Sequence, residues 1–190
     1  MYKVVKRLFD LILVIIFTVL LLLPILLLAI LVKLTSRGPI IYWSDRVGRQ
    51  NKIFRMPKFR SMHVGTPIIA THLLDNPKRH LTIFGSFLRK YSLDELPQLW
   101  CVFVGDMSFV GPRPALFNQY ELINLRYEKK IHNLLPGITG WAQVNGRDKL
   151  TISEKLKLDV EYLQKASFGF DLKILWLTLL GVLRHENISH

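Results

Sequence analysis

The chain has 190 residues, half of them apolar, with a mean hydropathy of +0.25, a formal net charge of +12 and a pI near 10. That length bounds it to one domain with room for an appended membrane segment. A basic, greasy chain has two common partners, nucleic acid and an anionic membrane surface. The lone Cys101 excludes an internal disulfide and fits a reducing compartment, and the sequence carries no zinc-spaced Cys/His cluster, Gly-rich phosphate loop or internal repeat.

Leu11 to Val32 holds no charged residue. At ~1.5 Å per residue it extends roughly 33 Å, enough to cross a bilayer, and no small-x-small cleavage pattern follows it. The run makes a membrane the better partner than nucleic acid. Pro24 lies within it, and basic residues flank both ends: Lys3, Lys6 and Arg7 before, Lys33 and Arg37 after. Proline removes a helical hydrogen bond, and the positive-inside tendency pulls both ends to one side. Two readings stand, a kinked span and a broken helix that enters and leaves by the same face. The boundary falls at residue 37, giving a membrane segment at 1–37 and a catalytic domain at 38–190.

Ile40–Trp43 and Lys52–Arg55 read as short strands joined by a turn at Gly48–Asn51. Lys58 and Arg60 are two apart, so an extended chain puts them on one face as an anion clamp or as a solvated basic edge. His63 to Pro77 is a polar loop whose histidines lack ligand spacing. Lys78 to Lys90 is predicted helical, with Leu81, Phe84 and Leu88 on one face and Arg89 in its last turn, where it can hold a phosphate or cap the helix.

Ser92-Leu93-Asp94-Glu95-Leu96-Pro97-Gln98-Leu99 is the centre of the sequence. Ser92 and Glu95 have capping-box spacing, while Pro97 argues for a helix that starts nearer Asp94. Either start places Asp94 and Glu95 in a first turn, where unpaired backbone N–H groups and the helix dipole favour the ionised carboxylates. Such a carboxylate can attack an electrophilic phosphorus or hold a divalent cation; the plainer reading is an ordinary cap with solvated acids. Phe117 to His132 is predicted helical with a solvated, mixed-charge face. Pro136 to Arg147 reads as a Gly-rich loop whose backbone can approach a ligand and whose Arg147 can fork onto phosphate. Thr151 and Glu154 form a capping box that opens a helix to about Lys165. Its face joins Leu156, Asp159, Val160 and Leu163, and an acid on that stripe calls for a partner such as an active-site arginine, or else is partly exposed. Asp171 to Arg184 is a final apolar helix, for the core or for the membrane interface with Lys173 and Arg184 at its edge. The fold class is α/β, helix-dominated with short strands.

Several long stretches in fixed order resemble the small monotopic phosphoglycosyl transferases of bacteria: Lys6-Arg7-Leu8-Phe9-Asp10, the Ser92–Leu99 stretch, Gly105-Asp106-Met107-Ser108, Gly111-Pro112-Arg113-Pro114, and Pro136-Gly137-Ile138-Thr139-Gly140-Trp141-Ala142-Gln143-Val144-Asn145-Gly146-Arg147. The resemblance implies a re-entrant membrane helix turning at Pro24, where the family usually has a serine before the proline and this chain has Leu23. It implies a catalytic domain on the cytoplasmic face of the bacterial inner membrane, and transfer of a phospho-sugar from a UDP-sugar to polyprenyl phosphate with release of UMP. Asp94 is then the nucleophile and Glu95 its metal-binding or general-base partner, with Mg²⁺ neutralising the diphosphate at Asp94 and Glu95. Lys58, Arg60, Arg89, Arg113 and Arg147 become phosphate contacts, and Gln143 and Asp159 substrate-side residues. Ala70-Thr71-His72-Leu73-Leu74 is similar to members that use N-acetylated 6-deoxy amino sugars. Outside this resemblance stand a membrane-bound phosphatase using the same aspartate and a non-catalytic basic membrane adaptor.

Overall fold

A computed structural model describes residues 2–69, 75–146 and 149–183. Helix α1 (Tyr2–Thr35) is long, apolar and continuous through Pro24. The expected break is therefore not an interruption of the helix. Among the described residues α1 alone is long and apolar enough to cross a membrane. Asp10, Val14 and Val32 on it are buried, and Leu21, Ile25 and Leu28 between them are partly so, which makes one protein-facing stripe. The opposite side exposes Val19, Leu20, Leu23, Leu26 and Ile30, and Pro24 is exposed on the flank of the buried stripe. Water cannot solvate that much aliphatic surface cheaply, so this side requires an apolar medium.

The N-terminal half of α1 is fixed by polar contacts. Asp171 Oδ2 accepts from Tyr2 Oη at 2.7 Å and from Lys6 Nζ at 2.6 Å, and Asp171 Oδ1 accepts from Tyr162 Oη at 2.7 Å. Arg7 donates to the carbonyls of Val102 and Phe103, and Asp10 accepts the Phe109 N–H at 3.2 Å. The C-terminal half is held by packing instead, with Val32 against Phe59 and Leu88.

Strands β1 (Ile41–Val47) and β2 (Ile53–Phe59) form an antiparallel hairpin with Tyr42 opposite Lys58 and Arg46 opposite Phe54. Both run further than their apolar cores suggest. In β1 the polar Ser44 and Arg46 alternate with their neighbours, so they continue the strand on the face of Tyr42. Pro57 is tolerated because β2 is an edge strand. The predicted helix from Lys78 is shorter: a 3₁₀ turn (Pro77–His80) precedes α2 (Ile83–Lys90), whose N-cap Thr82 accepts the Gly85 N–H at 2.9 Å. A Cβ at Gly85 would lie 2.0 Å from the Ser61 carbonyl oxygen, so this approach requires glycine.

Ser92 does not cap the next helix. It has a left-handed φ of 55° and no side-chain capping bond, and its N–H closes α2 by donating to the Arg89 carbonyl. The chain then makes a 3₁₀ helix (Leu93–Gln98) that contains Asp94, Glu95 and Pro97 and runs into α3 (Leu99–Val104). Beyond it come β3 (Ser108–Val110), β4 (Ala115–Leu116), which pairs with β1, and α4 (Tyr120–Glu128), the regular part of the segment predicted to Phe117–His132.

Pro136–Gly146 is not an irregular loop. It forms β5 (Gly137–Thr139), parallel to β3, and α5 (Trp141–Val144). A Cβ on Gly137 or Gly140 would lie 2.1 Å from the backbone of Gly111, so these glycines let two backbones touch. Helix α6 (Ile152–Lys165) opens with the complete Thr151–Glu154 capping box. Its buried residues are Asp159 and Tyr162, so the inward line is rotated from the predicted leucine stripe. Helix α7 (Phe168–Leu183) starts before Asp171, where the Ser167 side chain accepts the Phe170 N–H. Ile174 faces the core, whereas Leu172, Trp176, Leu179 and Val182 are exposed; Lys173 lies over the Trp141 ring. The expected edge residue Arg184 lies outside the described residues. The main core joins Val14, Phe54, Met56, Val102, Met107, Tyr162 and Ile174, bringing α1, the hairpin, α3, α6 and α7 together.

The buried Asp171 cluster generates a stability prediction. Asp171→Ala leaves Lys6 and Tyr162 without their carboxylate, at a cost of about 3–5 kcal/mol for a broken buried pair. The unfolding midpoint in nanodiscs should fall by roughly 10 °C; an unchanged midpoint would show that the cluster does not fasten α1 to α7.

Candidate active site

A cleft of about 720 Å³ opens beside the 3₁₀ helix. One face of the β1–β2 hairpin supplies Tyr42, Ser44, Arg46 and Lys58. The opposite walls come from the 63–69 segment, from the strap through Arg113 and Pro114, and from Gln119, Leu122, Arg126, Gln143, Lys149 and Lys155. Asp94, Arg60 and Arg89 also line it. The sequence-predicted Lys58, Arg60, Arg89, Asp94, Arg113 and Gln143 thus meet around one space. Arg147 lies outside the described residues, as does the 70–74 stretch. His63, predicted at the surface, is exposed at the rim of the cleft.

Glu95 gathers the cations. Its Oε1 accepts from Lys58 Nζ at 2.7 Å and from Arg113 Nη2 at 2.8 Å. Asp94 is only 6 % exposed and reaches Lys58 at 3.9 Å. The helix dipole was expected to keep Asp94 ionised, but a 3₁₀ helix of six residues has little dipole to offer. Burial wins and raises the Asp94 pKa, opposed by the Lys58 charge; Glu95 adds to the rise, while Arg89 and Arg113 counter it. Lys58 is pushed the other way, its pKa lowered by burial against the pull of Glu95 and Asp94.

Lys58 and Arg60 do not close on one point as a clamp. Arg60 Nε donates to the Pro39 carbonyl at 2.8 Å and its guanidinium lies over the Tyr42 ring, so Lys58 serves the acid pair and Arg60 the rim. Asp159 is 2 % exposed and holds Arg126 through Nε at 3.0 Å and Nη2 at 2.6 Å. Arg126 Nη1 in turn donates to the Arg113 carbonyl at 2.8 Å. Asp159 therefore faces the cleft through Arg126 and steadies the strap that carries Arg113. Burial raises its pKa and Arg126 opposes the rise.

Arg126 and Arg46 were missed. Arg126 sits on a helix that reads as solvated, and only the unpartnered acid on α6 hinted at it. Arg46 lies past the apolar end of the predicted strand, and only its alternation with Tyr42 and Ser44 could have shown it.

Among the described residues no group of three or more His, Cys, Asp or Glu forms a metal cage. Two adjacent carboxylates fit a Mg²⁺ that draws its other ligands from water and substrate phosphates.

A profile of the family described as bacterial sugar transferase matches residues 1–185. The uncharacterized sugar transferase EpsL of Bacillus subtilis is 40% identical over 186 residues, covering 98% of this chain and 91% of its own length. The UDP-glucose:undecaprenyl-phosphate glucose-1-phosphate transferase of Escherichia coli is 44% identical over 160 residues, covering 80% of this chain. The galactosyl transferase CpsE of Streptococcus agalactiae is 42% identical over 160 residues, covering 77% of this chain. This chain spans 34% and 35% of the lengths of the last two. The chain belongs to the bacterial sugar transferase family.

Proposed function

We propose that the protein is a phosphoglycosyl transferase that moves a phospho-sugar from a UDP-sugar to polyprenyl phosphate, giving polyprenyl-diphosphate-sugar and UMP. The observation that carries this reading is a buried aspartate, Asp94, in a cleft lined by cations on a domain fastened to an exposed apolar helix. The cations suit a diphosphate, the helix suits a lipid acceptor, and the E. coli relative's name pairs those two substrates.

An Asp94 carboxylate oxygen attacks the sugar-bearing phosphorus. The bond from that phosphorus to the bridging oxygen breaks, and UMP leaves with the bonding pair. A phosphate oxygen of the polyprenyl acceptor then attacks the same phosphorus and returns Asp94 as carboxylate. Lys58 and Arg113, held by Glu95, stand ready to meet the charge that spreads over the transferring phosphoryl oxygens. Mg²⁺ bound at Asp94, with Glu95 beside it, would neutralise diphosphate charge. Arg60, Arg89, Gln143 and Arg147 are proposed to complete the substrate contacts. The sugar proposed is an N-acetylated 6-deoxy amino sugar, and the step proposed is the first membrane step of a glycan assembly.

The catalytic domain is proposed to face the cytoplasm, with α1 entering and leaving by that face. Both halves of α1 pack on the domain, Val14 in the main core and Val32 against Phe59 and Leu88, which supports holding both ends of the helix at the same surface.

Three outcomes are expected. Asp94→Asn should lower UMP release by roughly 10³-fold or more across a panel of UDP-sugars, while the unfolding midpoint holds or rises because a costly buried carboxylate is gone. Near-normal release would remove Asp94 from the nucleophile role, and release of free sugar phosphate without lipid would favour the phosphatase.

The nucleophile must be ionised and its pKa is raised, so turnover should fall on acidification at a pH above the ordinary aspartate value of about 3.9. Arg89 holds that pKa down, so Arg89→Gln should move the acid limb to higher pH. A limb that stays in place would assign it to another group.

Single cysteines at Lys3 and Ser36, in a Cys101→Ser background, should both resist an impermeant thiol reagent on intact cells. Labelling of the Lys3 position alone would mean a true span.

A further inference from the structure

The cations of the cleft differ in how their charge is spent. Lys58 and Arg113 share Glu95, and Arg126 is held by Asp159. Arg46 has no such partner: among the described residues no carboxylate lies within ion-pair distance of it. Its Nε donates to the Ser44 hydroxyl at 3.0 Å and its Nη1 to the Pro114 carbonyl at 3.2 Å, both neutral acceptors. A guanidinium has five N–H groups, and Nη2 makes neither of these bonds. Nor is Nη2 among the side-chain atoms both sealed from solvent and unpartnered, so it stays open to the cleft that Arg46 lines.

The surroundings make this cation expensive. Burial, and next the like charge of Arg113, bring the Arg46 pKa down to about 10, with Glu95 giving partial relief. A charge desolvated without a counterion costs free energy that an arriving anion can offset. The two existing bonds fix the guanidinium plane, so its free edge is presented in one orientation. A planar fork so held matches two oxygens of a phosphoryl group better than it matches a hydroxyl or a base edge.

We propose that Arg46 is a phosphate subsite in the floor of the cleft, taking phosphoryl oxygens of a substrate beside the acid pair. This rests on the phosphoryl-transfer reading above. Two sources present the same chemistry, the diphosphate of the nucleotide donor and the phosphate of the lipid acceptor.

The test uses the full chain in nanodiscs, as wild type, Arg46→Gln and Arg46→Lys. The probes are UMP, uridine, inorganic pyrophosphate and, for turnover, farnesyl phosphate as acceptor. Loss of a forked, charge-assisted contact in Arg46→Gln should weaken UMP and pyrophosphate binding about 10- to 100-fold and leave uridine unchanged. Arg46→Lys, which keeps the charge without the fork, should recover part of the loss, and it carries the test alone if Arg46→Gln does not fold. Normal UMP affinity with a KM for farnesyl phosphate raised by a similar factor would assign the subsite to the acceptor. The proposal is overturned if UMP and uridine weaken together, the mark of a displaced Pro114 strap, or if every affinity and KM stays within about twofold of wild type. Wild-type protein that binds pyrophosphate but not UMP would contradict the nucleotide reading and keep the subsite; binding of neither would overturn both.

Discussion

The site depends on one carboxylate oxygen. Glu95 Oε1 draws Lys58 from the hairpin and Arg113 from the strap onto a single point beside Asp94. Without Glu95, two partly buried cations would repel each other and the hairpin would lose its ionic tie to the strap. The adjacent acids have different environments. Asp94 is buried, which raises its pKa, and lies 3.9 Å from Lys58, whereas Glu95 is paired closely with both Lys58 and Arg113.

Behind this first layer the strap is gripped twice. Arg126, fixed by Asp159, holds the Arg113 carbonyl, and Arg46 holds the Pro114 carbonyl. The backbone contact of Gly111 with Gly137 and Gly140 seats the strap's other end. On the far side of the domain, the Asp171 cluster and Arg7 fasten α1 to α7 and α3. Helix α1 is thus tied to the elements that carry the acid pair, since α3 continues directly from the 3₁₀ helix of Asp94 and Glu95. The exposed side chains of α1, with Trp100 and Phe103 on α3 and Trp176 on α7, give the domain an apolar surface without a protein partner among the described residues. That surface is what an enzyme working on a lipid at the bilayer requires.

What could be read from the sequence was mostly local. The Thr151–Glu154 capping box needs four residues and was legible. So were the apolar run of α1 and the Gly48–Asn51 turn. Ser92 had the same spacing and misled, because its backbone was already committed to ending α2. Gly137 and Gly140 suggested a ligand loop because the backbone they approach, Gly111, is far away in the sequence. The Arg126–Asp159 pair is separated by 33 positions, and neither residue alone reveals the other. Polar residues that extend a strand, such as Ser44 and Arg46, look like the start of a turn until the hairpin register is known. The gathering of Asp94, Glu95, Lys58 and Arg113 came from a resemblance; their division of labour came from geometry.

The central claim is that Asp94 takes the phospho-sugar onto itself before the lipid acts. Mixing the enzyme with its UDP-sugar in the absence of polyprenyl phosphate, then weighing the intact protein and counting UMP, tests this directly. The account predicts at most one UMP per enzyme and a mass gain of one phospho-sugar that maps to the peptide carrying Asp94. UMP that appears only when polyprenyl phosphate is present, with the protein mass unchanged, would contradict it and point to direct transfer between the two bound substrates.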